Sequence, residues 1–221
     1  MNVLNALQAR HSTRVFRSEP IPRDTVLSIV GAALLSPSWT NTQPWEVFVA
    51  GGEPLERLRS AYLDRFHAGV APTPDIPGVT DWPSALQQRA VELMTARSAL
   101  LGLDLKRPDD KKAFGLPNYR FFGAPLVVFL GMHSNLTGWP LYDLGSFSMA
   151  LMLAAQQYGV SSVPAFSLSV YPDLIRTELE VPEEVAVALG IALGYPDEEA
   201  TLNSFRSTRR PFDDVVRLRG L

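Results

Sequence analysis

Residues 126–158 read L-V-V-F-L-G-M-H-S-N-L-T-G-W-P-L-Y-D-L-G-S-F-S-M-A-L-M-L-A-A-Q-Q-Y. Leu126 to Gly131 is apolar without polar alternation, the mark of a strand covered on both faces. Residues 140–158 read as a helix. Leu141, Leu144, Met149, Leu151, Met152, Leu153 and Ala154 surround it on nearly all sides, and Gly145, Ser146 and Ser148 add small contact points. A helix apolar all round is buried in a core or in an oligomer interface.

Working outward, Val160–Val170 and Val185–Leu193 read as strands, with a helix over 171–180 behind Tyr171-Pro172. Upstream, Trp45–Ala50 reads as a strand closed by Gly51-Gly52. Asn2–Ala9 is helix-like, with Val3, Leu4 and Leu7 on one side. Asp24 is placed to cap a helix over 25–35, whose apolar face is Val26, Ile29, Val30, Ala33 and Leu34. Residues 53–67 look helical. Pro72, Pro74, Pro77 and Pro83 forbid a regular element over 68–83. A helix resumes near Ser84, Lys106–Lys112 reads as a charged loop or short turn, and Val215-Val216 gives the tail β-like content. The order argues α/β or α+β, with helices packed on a small sheet. One domain spans 1–221, and about 53–122 reads as an insertion suited to a lid or substrate channel.

Composition narrows the function. The chain has 221 residues, 46% hydrophobic and 19% charged, an ordinary globular balance. A formal charge of -3 argues against a nucleic-acid-binding surface. With no cysteine, disulfides, thiolate metal clusters and thiol nucleophiles are excluded. His11, His67 and His133 are too scattered for metal spacing. No G-x-G-x-x-G, P-loop or G-x-S-x-G motif occurs. Met1–Thr13 holds no apolar run typical of a signal peptide, and no stretch reaches the ~18 apolar residues of a membrane span. A soluble cytoplasmic protein without a membrane partner is expected.

The charge is unevenly spread. Arg10, Arg14, Arg17 and Arg23 outnumber the acids near the start; Arg206, Arg209, Arg210, Arg217 and Arg219 outnumber those at the end. The body is therefore acidic. Four segments carry candidate chemistry. Arg10-His11-Ser12-Thr13-Arg14 puts two guanidinium forks and a hydroxyl within five residues, which suits a phosphate. The loop 36–45, S-P-S-W-T-N-T-Q-P-W, is held by Pro37 and Pro44 and offers polar groups beside Trp39 and Trp45. At Val163-Pro164-Ala165-Phe166-Ser167 a strand breaks at proline. Asn203 to Pro211 is the basic tail. Asp143 is a lone acid in an apolar helix, read as a helix-start acid beside Pro140.

Together these segments resemble the nitroreductase family of FMN-dependent flavoproteins. The motifs, in family order, are R-H-S-T-R-V-F (10–16), P-S-W-T-N-T-Q-P-W (37–45), N-Y-R-F-F-G-A-P (118–125), D-L-G-S-F-S-M-A-L-M-L-A-A (143–155), G-I-A-L-G-Y-P-D (190–197) and F-R-S-T-R-R-P (205–211). The resemblance implies an α+β sandwich, with a mostly antiparallel sheet flanked by helices, in an interlocked homodimer holding FMN at its interface. It places Arg10, Ser12 and Arg14 on the flavin phosphate and ribityl chain, with His11 beside them. Arg209 joins the phosphate cluster, with Arg206. Pro37, Ser38, Trp39, Asn41 and Gln43 reach the flavin of the other subunit. Pro164, Ala165, Phe166 and Ser167 lie against the isoalloxazine. Trp39, Tyr119, Phe121 and Phe166 line the substrate side. The implied reaction passes hydride from NADH or NADPH through FMN to a nitroaromatic or quinone by ping-pong turnover. Because the flavin performs the electron chemistry, no catalytic dyad is required. Enone reduction, dehydrogenation of a peptide-derived ring, reductive dehalogenation, or flavin binding and storage without turnover are the alternatives on the same fold.

Overall fold

The computed structural model describes residues 2–220. Four strands form one antiparallel sheet in the order β1-β2-β4-β3: β1 Glu46–Gly51, β2 Leu126–His133, β3 Ser161–Ala165 and β4 Val185–Gly194. The helices are α1 Val3–Ala9, α2 Arg23–Ala33, α3 Gly52–Ala68, α4 Ser84–Leu100, α5 Pro108–Tyr119, α6 Trp139–Gln156, α7 Pro172–Leu179 and α8 Phe212–Val215.

The apolar run of β2 has the layered environment its composition implies. Val127 and Phe129 face a core shared with Leu55, Leu58 and Tyr62 of α3 and Ile175 of α7. Val128, Leu130 and Met132 face a second core with Ile29 of α2 and Leu144, Phe147 and Leu151 of α6. The sheet is thus sandwiched between two helical layers. A bulge sets Leu130 opposite Leu189 but Gly131 opposite Val187, leaving Ala188 as the extra residue. Both Ala188 and Leu189 pack against the α2–α6 core, and the pleat resumes in phase beyond them.

Several expected boundaries move. The reach 106–112 is not simply a charged loop: α5 starts at Pro108 and runs to Tyr119. Proline at the first helical position, with Asp109 and Asp110 in the first turn, starts a helix favourably. Strand β3 ends at Ala165, short of Val170, and a 3-10 turn follows over Phe166–Ser169. Pro164 does not break the strand; it pairs with Ile191 on an edge strand, where its missing N–H is tolerated. Asp24 lies in the first turn of α2, whose cap position is Pro22. The tail at 212–215 is a short helix rather than β-like. Within the segment 53–122, α3 packs into the core through Leu55, Leu58 and Tyr62.

The proline-rich stretch between α3 and α4 is irregular but anchored. Tyr171 Oη donates to the Val70 carbonyl at 2.7 Å, and the Thr73 N–H to Val170 at 3.0 Å. Asp75 accepts from Arg176 Nη2 at 2.7 Å and from the Val187 N–H at 2.8 Å. These bonds hold Gly78 against the ring of Phe166, where an added Cβ would meet Cζ at 3.2 Å.

Candidate functional site: a cationic cleft and its rim

The two basic ends meet through one buried amide. Asn203 Oδ1 accepts the N–H groups of Arg14 and Val15 at 2.8 and 3.2 Å, and its Nδ2 donates to the Val15 and Asp197 carbonyls. The segment also lies on the outer edge of β3. Ser12 bridges Ser162, and the Thr13 N–H donates to the Ser162 carbonyl at 3.1 Å. The tail and the opening motif therefore line a single cavity of about 360 Å³, walled by Arg10, His11, Ser12, Arg14, Arg206, Ser207 and Arg209. Leu93 of α4 closes one side.

These cations lack anions. Among the described residues, Arg10, Arg14, Arg206 and Arg209 form no ion pair; their side-chain hydrogen bonds go to carbonyls and a hydroxyl. Arg14 Nη1 donates to the Ser12 carbonyl at 3.0 Å, Arg206 Nη1 to Asn203 at 2.7 Å, and Arg209 Nη1 to Ser207 Oγ at 2.9 Å. Burial, with the charge of Arg97, pushes the Arg14 pKa down to about 10. Burial and then Arg209 lower that of Arg10. Burial lowers the His11 imidazole as well, against the hydrogen bond to Ala9, and the charges of Arg206, Arg10 and Arg14 add to the fall. For Arg10 and Arg14 the shift records a cation held without a counter-charge, whereas for His11 it disfavours the cation. Thr13 Oγ1 and Ser162 Oγ are buried beside the cleft without a partner. Unpaired guanidinium groups beside Ser12 suit a phosphate dianion such as that of FMN.

The other expected site residues do not line this cavity. Phe166 and Ser167 begin the turn after β3. Ser167 Oγ donates to Asn118 Oδ1 at 3.1 Å, and Gly190 lets Leu168 seat the turn on β4, since a Cβ there would meet Leu168 Cβ at 2.4 Å. Pro164 and Ala165 are half-buried in the strand. Tyr119 is half-buried against Phe66 and Tyr171. Phe121, expected on the substrate side, is instead wholly buried between Tyr62 and Phe129 and shows no face to a ligand. Its place in a tight turn before β2 turns the ring into the core.

Pro37, Ser38, Trp39, Asn41 and Gln43 do not line the cleft of their own chain. Their loop packs on the start of α6, where Asp143 Oδ2 accepts the Trp39 N–H at 3.2 Å. Ser38 Oγ accepts the Gln43 N–H at 2.9 Å. Thr40, Asn41 and Gln43 all take positive φ. Three non-glycine residues in that region mark a strained, closely determined loop. Asn203, Arg97 and Gly78 carry no sequence signal of their roles, and Asp143, read as a helix-start acid, is buried within α6 and accepts the N–H of Trp39 in a loop 104 residues away. Among the described residues, no cluster of three or more His, Asp or Glu could hold a metal, and no helix is long and apolar enough to cross a membrane.

The sheet between two helical layers, with a cationic cleft beside its β3 edge, defines an α+β sandwich. Residues 7–195 match the family model described as "Nitroreductase family", and the chain belongs to that family. It is 32% identical to nitroreductase NfnB of Mycolicibacterium smegmatis, over 96% of this chain and 90% of that protein. It is 34% identical to a 4-nitrobenzoate reductase of Pseudomonas putida, over 91% and 88% respectively. The solved structure of the FMN-dependent nitroreductase NfnB from Mycobacterium smegmatis in complex with NADPH superposes with a TM-score of 0.92 at 31% identity, covering 99% of this chain and 100% of that one.

Proposed function

We propose that this protein is an FMN-dependent oxidoreductase that takes hydride from NADH or NADPH and delivers it to a nitroaromatic or quinone-type acceptor in ping-pong turnover. The observation that carries the reading is the set of four arginines without acids around one cavity, in a chain whose relatives are nitroreductases. Arg10, Ser12, Arg14 and Arg209 would hold the phosphate and ribityl chain, with Arg206 and His11 beside them. Pro164 to Ser167 would support the flavin ring. Bound FMN supplies the two-electron chemistry; the protein supplies orientation and field.

A homodimer completes the site in this reading. Val3, Leu4 and Leu7 on α1 and Leu27, Leu34 and Leu35 around α2 are exposed apolar side chains suited to a second copy. The loop from Pro37 to Gln43 would then face the cleft of the other protomer. The segment through α4 would form the substrate side, and the reaction would run in the cytoplasm, where reduced nicotinamides are abundant.

The test is spectroscopic. Protein reconstituted with FMN should show oxidised-flavin absorption, bleach with NADPH or NADH under anaerobic conditions, and recover on adding 4-nitrobenzoate. No affinity for FMN would sink the proposal.

A further inference from the structure

Three aromatic side chains stand in solvent at the start of α6. Trp39, Trp139 and Tyr142 are 61%, 57% and 64% exposed. They nevertheless touch: the Trp39 and Trp139 rings are 6.2 Å apart at 62°, and those of Trp139 and Tyr142 are 5.4 Å apart at 40°. Trp139 and Tyr142 are three residues apart on α6 and share a face. Gly138, at φ 69, and Pro140 set the entry of that helix. Trp39 comes from the strained loop.

Asp143 ties the two elements together. It is 1% exposed, accepts the Trp39 N–H through Oδ2, and has no partner for Oδ1. A buried carboxylate oxygen without a partner is costly. Here it sits directly behind the aromatic group, where it fixes the backbone of Trp39 relative to the helix.

We propose that Trp39, Trp139 and Tyr142 form a preorganised wall that binds the planar ring of an electron-poor arene, making Trp139 and Tyr142 specificity-determining residues for the acceptor. The inference rests on the function proposed above and names the substrate class of that site. Indole and phenol faces are electron-rich, and a nitro group drains its ring, so offset stacking is favoured. The exposed side chains on α1 are aliphatic, whereas this group is wholly aromatic, and the loop that carries Trp39 also exposes Asn41 and Gln43, whose amides can meet nitro or carboxylate oxygens. Rings already held by the protein lose little freedom on binding.

The experiment compares Trp139→Leu and Tyr142→Leu with wild type as holoenzymes, using 4-nitrobenzoate and ferricyanide, an acceptor without an aromatic face. Leucine keeps the patch apolar and removes its π face. The KM for 4-nitrobenzoate should rise about tenfold relative to that for ferricyanide, with kcat little altered. Trp139→Phe should restore most of the loss. Separately, 4-nitrobenzoate should quench tryptophan emission of wild type and of the control Trp82→Leu, and quench Trp139→Leu much less. Equal KM ratios and equal quenching in Trp139→Leu would overturn the proposal. So would a shift of that variant to a smaller species on gel filtration, since the patch would then be covered by a second copy. A wild type that binds 4-nitrobenzoate but never transfers electrons defeats the proposed function and leaves the wall standing.

Discussion

Two sets of arginines in this molecule live by opposite rules. On the α3–α7 side each guanidinium has an acid: Arg57 meets Glu178, Arg65 meets Asp173, and Arg176 meets Asp75. In the cleft, Arg10, Arg14, Arg206 and Arg209 meet carbonyls and a hydroxyl, and Arg10 and Arg14 feel the like charges of Arg209 and Arg97. The first set is complete within the folded chain. The second lacks an acid within the described chain, and under the proposed function a ligand phosphate would take the place that Asp75 or Glu178 fills elsewhere. Arginine count alone does not separate the two; the location of the acids does.

Substitutions in each region should therefore diverge. The largest effect is expected from Asp75→Ala, which leaves Arg176 half-buried without its acid and the Val187 N–H without its acceptor. It should lower unfolding free energy by about 2–4 kcal/mol in urea denaturation. Arg14→Ala or Arg209→Ala should do the reverse. Ligand-free stability should hold or rise, because like charges are relieved, while FMN affinity falls by about 1–3 kcal/mol per lost contact in fluorescence titration. Destabilisation of the ligand-free protein by these variants, with FMN affinity intact, would dissolve the contrast.

Salt should sharpen it. Raising NaCl from about 0.05 to about 0.5 M should weaken FMN binding severalfold, roughly 1 kcal/mol, because the cleft is open to solvent and shortening the Debye length screens it. The unfolding midpoint of ligand-free protein should move little over the same range. The smallest effect is expected from Gly78→Ala. The new methyl should displace the Phe166 ring by a few tenths of an ångström, at about 0.5–1 kcal/mol, and change the visible circular dichroism of bound FMN with little loss of affinity.

The fold was legible where burial left a mark on composition. Strand β2 and helix α6 announce themselves because both lie between apolar layers. Helix α5 was obscured by its charges, by Gly115 and by Pro117, although Pro108 and the two following acids are a readable start. The basic ends were visible as charge, but their union depends on Asn203, an ordinary amide 189 residues from Arg14. Trp139 and Tyr142 were hidden for another reason. Read as an apolar helix, α6 hides the fact that its first turn projects beyond the sheet. Sequence periodicity reports which side chains share a face, not where the neighbouring layer stops.

The extra residue at Ala188 divides β4 into two phases. Val185 and Val187 face the α3–α7 core on odd numbers; past the bulge Ala192 faces it on an even one. A regular pleat run through all ten residues would carry one half's apolar side chains to the wrong layer. Removing Ala188 itself would instead leave Val187 and Leu189 alternating opposite Gly131 and Leu130, with both faces in place. A graft or recombination junction in this strand must therefore keep the bulge and its extra residue together or drop both together, because losing one without the other turns half of β4 over.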